Sequence, residues 1–132
     1  MAASLLLRVL FPAHKTLGAT LPRGDAMQSL VLEIFLTWFL MLVILNVSRG
    51  AKEKGITAGI VIGAVIGLEA IFAGPICGAS MNPARSFAPA LVSMRFDSLW
   101  IYLLGPITGA LLAVPTLHLV QQTQAESAPS TL

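Results

Sequence analysis

Asn82-Pro83-Ala84-Arg85 is the run of residues in this chain whose types and order could do chemistry. It lies inside Gly74–Leu91, a stretch of glycine, proline, asparagine and arginine set in otherwise apolar sequence. Irregular backbone and charge at membrane depth are costly unless they are buried in protein or line water. Asn82 is a favoured helix N-cap, and Pro83 fits the first helical position because its missing N–H is not needed there. A helix from Pro83 to Val92 would be roughly 15 Å long at 1.5 Å per residue, about half of the ~30 Å hydrocarbon core. Its N-terminus would then lie near the midplane and present the positive end of the aligned peptide dipoles. Such an end repels cations and protons but not neutral molecules. Asn82 would offer a side-chain N–H to a passing oxygen, and Arg85 would add a fixed charge and several donors. The run Pro75 to Met81 reads as too interrupted for a continuous helix, so its free carbonyls could form a line of acceptors. The chemistry indicated is passage of a neutral, hydrogen-bonding solute. The competing readings are a chance Asn-Pro-Ala tripeptide and an interfacial arginine whose head snorkels to water. Against them stands the context, a glycine-patterned span before the motif and a full apolar span after it.

The elements that must position this segment are apolar. Of the 132 residues, 56% are hydrophobic and 11% charged, with a mean hydropathy of +0.85; soluble domains carry about 25% charged residues. Long apolar runs cover 28–48, 56–73 and 98–120, each near the ~20 residues that cross a bilayer as a helix. Met1 to Phe11 is a partial helix too short to span. It matches a secretory signal poorly, since Arg8 sits within its apolar run and no basic segment precedes it. Residues 12–27 read as an irregular loop, and 121–132 as a disordered tail. Gly59, Gly63 and Gly67 share one face of the second span, as do Gly105, Gly109 and Ala113 on the last, a spacing that lets helix backbones approach closely. Arg49, Lys52 and Lys54 between the first two spans point that loop, and with it the C-terminus, to the cytoplasm. Lys15, Arg23 and Arg95 on the other side make this bias slight. The net charge of +2 gives no sign of a nucleic-acid partner. One cysteine, Cys77, and two distant histidines, His14 and His118, offer neither a disulfide nor a metal set. No nucleophile–base or cofactor constellation suggests an enzyme.

GPICGASMNPARSFAPALV resembles the second Asn-Pro-Ala loop of the aquaporin, or major intrinsic protein, family, and LWIYLLGPITGALLA its last helix. VLEIFLTWFLMLVILNV resembles the fourth helix, and the glycine-rich 56–73 stretch the fifth. The resemblance implies an all-α membrane protein, the C-terminal half (1–120) of a right-handed helical bundle with three spanning helices and one re-entrant half-helix. It implies a passive channel for water and small uncharged solutes such as glycerol in the plasma or inner membrane. Homotetrameric assembly is implied as well, and no cofactor is. The family builds its pore from two inverted repeats, so this sequence reads as one half that needs the missing N-terminal half. A non-conducting remnant or membrane subunit is the alternative. A secondary transporter also uses broken helices, but would be expected to place ion-coordinating acidic pairs in the broken segment.

Residue by residue, Asn82, Pro83 and Ala84 match the family's signature and Arg85 its selectivity-filter arginine. Ala70 and Ala79 fall at two further filter positions, and Gly78, Ala79 and Ser80 supply the line of carbonyls. Two alanines imply a wide, apolar constriction like that of the nodulin-like group, and Tyr102 and Leu103 also look nodulin-like. Ser86 and Ala90, by contrast, are water-channel choices. Glu33 matches a glutamate that supports the pore loop by accepting backbone N–H bonds. Glu69 has no role in the resemblance; snorkelling, a protonated state, and pairing with Arg85 or with an absent helix are its open readings. Cys77 reads as a small packed residue.

Overall fold

The computed structural model describes residues 1–48 and 54–127, and these form five α-helices: α1 (Ala2–Leu10), α2 (Ala26–Val47), α3 (Lys54–Cys77), α4 (Pro83–Ser93) and α5 (Leu99–Ser127). Segments of α2, α3 and α5 (Ala26–Val47, Thr57–Cys77 and Leu99–Thr123) are long and apolar enough to cross a membrane. Arg49 and Lys52, on which the orientation reading leans, lie outside the described residues.

Helix α2 is the hub, packing against both α3 and α5, while the short α4 lies between α5 and α1. It starts at Ala26 because Asp25 caps it, Oδ2 accepting the N–H groups of Met27 at 2.8 Å and Gln28 at 3.0 Å. The loop expected over 12–27 therefore ends at that cap. Packing of α2 on α5 depends on the absence of side chains. A Cβ on Gly109 would clash with the Ile34 carbonyl oxygen and sit 2.8 Å from the Trp38 backbone nitrogen, and one on Gly105 would sit 2.8 Å from Glu33 Cβ. Ala113 continues this face, fully buried, and Trp38 Nε1 donates to Thr116 Oγ1 at 3.1 Å near its far end. Gly109→Ala must force the helices apart, an overpacking expected to cost about 1–3 kcal/mol. A lowered denaturant midpoint in detergent, with helicity of the folded state unchanged, checks this.

The second small-residue face behaves differently. Among the described residues nothing lies within 4 Å of a Cβ placed on Gly59, Gly63 or Gly67; α3 packs along α2 and meets α5 through the Tyr102 hydroxyl at its last residue, Cys77. The same spacing is thus tightly packed on one span and open on the other.

Two further expectations are corrected. Helix α3 does not stop at residue 73 but runs through Pro75 to Cys77. Proline removes the hydrogen bond to the carbonyl four residues back, here that of Ile71, but this forfeits a single bond and the helix closes beyond it, the Gly78 N–H donating to the Gly74 carbonyl at 3.0 Å. The irregular backbone is therefore confined to 78–82. Helix α5 likewise continues to Ser127, so 121–127 is not a disordered tail. Gln, Ala and Glu are good helix formers, and extending an existing helix avoids the cost of nucleating one.

Candidate functional site

The loop joining α3 to α4 is built from backbone that side chains disfavour. Gly78 has φ +89°, and Ala79 and Met81 also lie in the left-handed region, at 42° and 53°. For residues with a Cβ this costs of order 1–3 kcal/mol each and persists only where the surroundings enforce it. Glu33 enforces it. Its fully buried carboxylate accepts the Ser80 N–H on Oε1 at 2.7 Å and the Met81 N–H on Oε2 at 2.8 Å. Consecutive N–H groups converging on one anion make a nest, and hydrogen bonds to an ionised acceptor are roughly twice as strong as neutral ones. Gly105 leaves room for the Glu33 side chain, since its own Cβ would overlap that of Glu33.

The entrance to the loop is held from α5. Tyr102, fully buried, donates its hydroxyl to the Cys77 carbonyl at 2.6 Å, satisfying one of the carbonyls orphaned at the end of α3. Tyr102→Phe leaves that buried acceptor unpaired, and a loss of about 1–3 kcal/mol is expected. A lowered thermal midpoint of the purified chain checks it.

At the exit of the loop, Asn82 caps α4, Oδ1 accepting the Ala84 N–H at 2.9 Å, with Pro83 at the first helical position. This leaves the side-chain amide of Asn82 as a donor. Helix α4 has 11 residues, roughly 16 Å of helix, so it is a half-span element as its sequence suggests. Arg8 of α1 holds its far end, Nη2 donating to the Val92 carbonyl at 3.1 Å. Met94 closes it in the left-handed region at φ 55°.

Two cavities share Arg85 in their linings. One, of about 380 Å³, is bordered by Thr37, Leu40, Ile66, Ser80, Asn82 and Arg85, among others. The second, of about 440 Å³, is bordered by the 16–23 segment, Gly74, Gly78 and again Arg85. Arg85 is exposed, and its Nη1 reaches the Gly78 carbonyl at 3.5 Å. The structure thus brings Asn82, Ser80, Gly78 and Arg85 together. It does not do so for the two alanines. Ala70 is exposed on α3, whereas Ala79 is buried in the core cluster with Leu36, Leu40, Ala73 and Cys77. Neither borders these cavities.

Glu69 is 2% exposed, so it does not snorkel. Among the described residues neither of its carboxyl oxygens has a hydrogen-bond partner, and it is not paired with Arg85. Cys77 is fully buried, its thiol directed at the Ala73 carbonyl.

The family model described as "Major intrinsic protein" matches residues 1–116. The chain belongs to the major intrinsic protein family. Among its relatives, aquaporin NIP1-4 of Oryza sativa subsp. japonica is 49% identical over 110 residues, 83% of this chain and 40% of the relative. Aquaporin NIP1-1 of Zea mays is 45% identical over 92% of this chain and 43% of its own length. Nodulin-26 of Glycine max is 43% identical over 92% of this chain and 45% of its own. This major intrinsic protein chain therefore spans less than half the length of these relatives, and with its three apolar helices it is an integral membrane protein.

Sequence reasoning missed the part that three residues play in shaping the loop. Tyr102 was signalled by being the chain's single tyrosine, since a buried tyrosine hydroxyl needs a partner. Thr20 and Ser86, whose hydroxyls meet in the interior, are common polar residues 66 positions apart and carried no such signal.

Proposed function

We propose that this chain forms one wall of a passive channel for water and small uncharged solutes of the size of glycerol, with ions and protons excluded. The observation that carries this reading is Arg85, which borders two cavities and lies in the first turn of a half-span helix capped by Asn82. A solute moving from one cavity to the other must pass a fixed cation and the positive end of α4. Both repel cations, while a neutral solute can exchange hydrogen bonds with the Asn82 amide and the Gly78 carbonyl. Ala70 and the backbone of Ala79 and Ser80 would border the narrow part once an N-terminal repeat closes the opposite wall. In this reading the complete channel is a homotetramer in the plasma or inner membrane, with the C-terminus cytoplasmic. The named relatives are aquaporins and a nodulin, in keeping with a neutral-solute channel.

The open face of α3 favours a second reading, a membrane subunit that does not conduct until another protein wall covers it. Gly59, Gly63 and Gly67 leave room for a closely packed helix there. One experiment addresses both. Vesicles holding the chain alone, or the chain with an N-terminal repeat, are shrunk osmotically and then allowed to re-swell in glycerol. Water flux in the two-repeat vesicles alone supports a channel whose two walls are both required. Flux in neither sinks the channel reading.

A further inference from the structure

The segment between α1 and α2 reaches into the pore loop through one side chain, Thr20. It is 7% exposed, and its hydroxyl hydrogen-bonds to that of Ser86, which in turn bonds to that of Ser80. Ser80 Oγ donates to the Asn82 carbonyl at 2.9 Å. A hydroxyl carries a single proton, so this last bond orders the whole chain. Ser80 spends its proton on Asn82 and must accept from Ser86; Ser86 must then accept from Thr20. Thr20 is therefore the terminal donor of a buried relay that ends on the helix cap. Its methyl group also lies close to Gly78, 3.3 Å from where a Cβ on that glycine would be. Gly78 provides the carbonyl that Arg85 reaches, and Ser86 is the residue that follows Arg85 in α4. One threonine thus bonds to the side chain that follows Arg85 and lies beside the glycine whose carbonyl the guanidinium reaches. The segment is secured beside it by the Arg23 N–H, which donates to the Ile76 carbonyl at 3.0 Å.

We propose that Thr20 is a positioning residue for Arg85, acting through its hydroxyl, and that it thereby sets the solute cut-off of the passage. The second half of this statement rests on the channel reading; the first does not. Removing the hydroxyl leaves Ser86 without its donor, frees the first turn of α4 to shift, and moves the guanidinium against the opening.

The test compares Thr20→Val, which keeps the branched shape and loses the hydroxyl, with Thr20→Ser, which keeps the hydroxyl. Lys15→Gln in the same segment is the control. The Arg85 Nε–Hε resonance of the isotope-labelled chain in lipid, assigned by its loss in Arg85→Lys, reports the guanidinium directly. It is expected to move in Thr20→Val and to stay at the parent position in Thr20→Ser and Lys15→Gln. In two-repeat vesicles the glycerol-to-water permeability ratio is expected to change roughly two- to tenfold in Thr20→Val, the range that loss of one buried hydrogen bond spans. Thr20→Ser is expected to restore it. An Arg85 resonance unmoved in a folded Thr20→Val chain overturns the positioning role, as does a Thr20→Ser chain that behaves like Thr20→Val. A resonance that moves while the permeability ratio holds overturns the cut-off role alone. Parent vesicles that pass no water overturn the channel reading, and the spectrum still decides the positioning.

Discussion

Glu33→Ala is expected to cause the largest loss of stability of any single substitution in this chain. It removes the acceptor of two buried N–H groups, Ser80 and Met81. Each orphaned donor costs about 1–3 kcal/mol, against a total stability of about 5–15 kcal/mol for a typical domain. The strain at Ala79 and Met81 also loses what holds it. Glu33→Gln keeps one acceptor oxygen but turns an NH2 group toward the other N–H, so its loss should fall between those of the parent and of Glu33→Ala. Amide hydrogen exchange in detergent measures this locally. Exchange at Ser80 and Met81 should accelerate far more than exchange in the middle of α5. Equal protection of those two amides in parent and Glu33→Ala would show that the carboxylate does not hold the loop.

Arg85→Ala is expected to have the largest effect on selectivity in the two-repeat channel. A unit charge about 8 Å from a passing cation, at an effective dielectric constant near 20, contributes about 2 kcal/mol of repulsion. Removing it should raise cation leakage roughly thirtyfold relative to water flux. Exclusion should weaken rather than vanish, since the N-terminus of α4 keeps a partial positive charge of about half a unit. Arg85→Lys retains the charge and should keep most of the exclusion, but it lacks the planar fork of donors, so its solute preference should change. Sodium uptake measured beside osmotic shrinkage separates these outcomes. Leakage unchanged in Arg85→Ala would remove Arg85 from the barrier.

The elements of this fold were legible because each carries a local physical signature. Hydrophobic length marked α2, α3 and α5, and Asn82-Pro83 marked the start of α4 by cap chemistry alone. Glu33 was legible as a carboxylate in an apolar span, a group that must find donors. Helix ends were harder to read. Pro75 and the Gln-rich stretch after Val120 both signal a break locally, yet in each case an existing helix runs on. The glycine stripes show a further limit, since spacing identifies a face that can pack closely but not whether a neighbour occupies it. Gly109 meets α2, whereas among the described residues Gly63 meets nothing within 4 Å. Least legible were contacts made by ordinary residues across long separations, such as that of Thr20 with Ser86. Their meaning comes from the partner, which only the fold supplies. The same holds for Ala79, whose place in the motif suggests a lining residue but whose methyl group lies in the core.

In the proposed channel neutral molecules pass Arg85 and charges do not. The most direct test measures water and proton flux in the same two-repeat vesicles, osmotic shrinkage by light scattering and lumenal pH by a trapped dye. Shrinkage clearly faster than in empty vesicles is expected, with proton entry no faster than in empty vesicles. Proton entry that rises together with water flux, or shrinkage no faster than in empty vesicles, would contradict the channel reading.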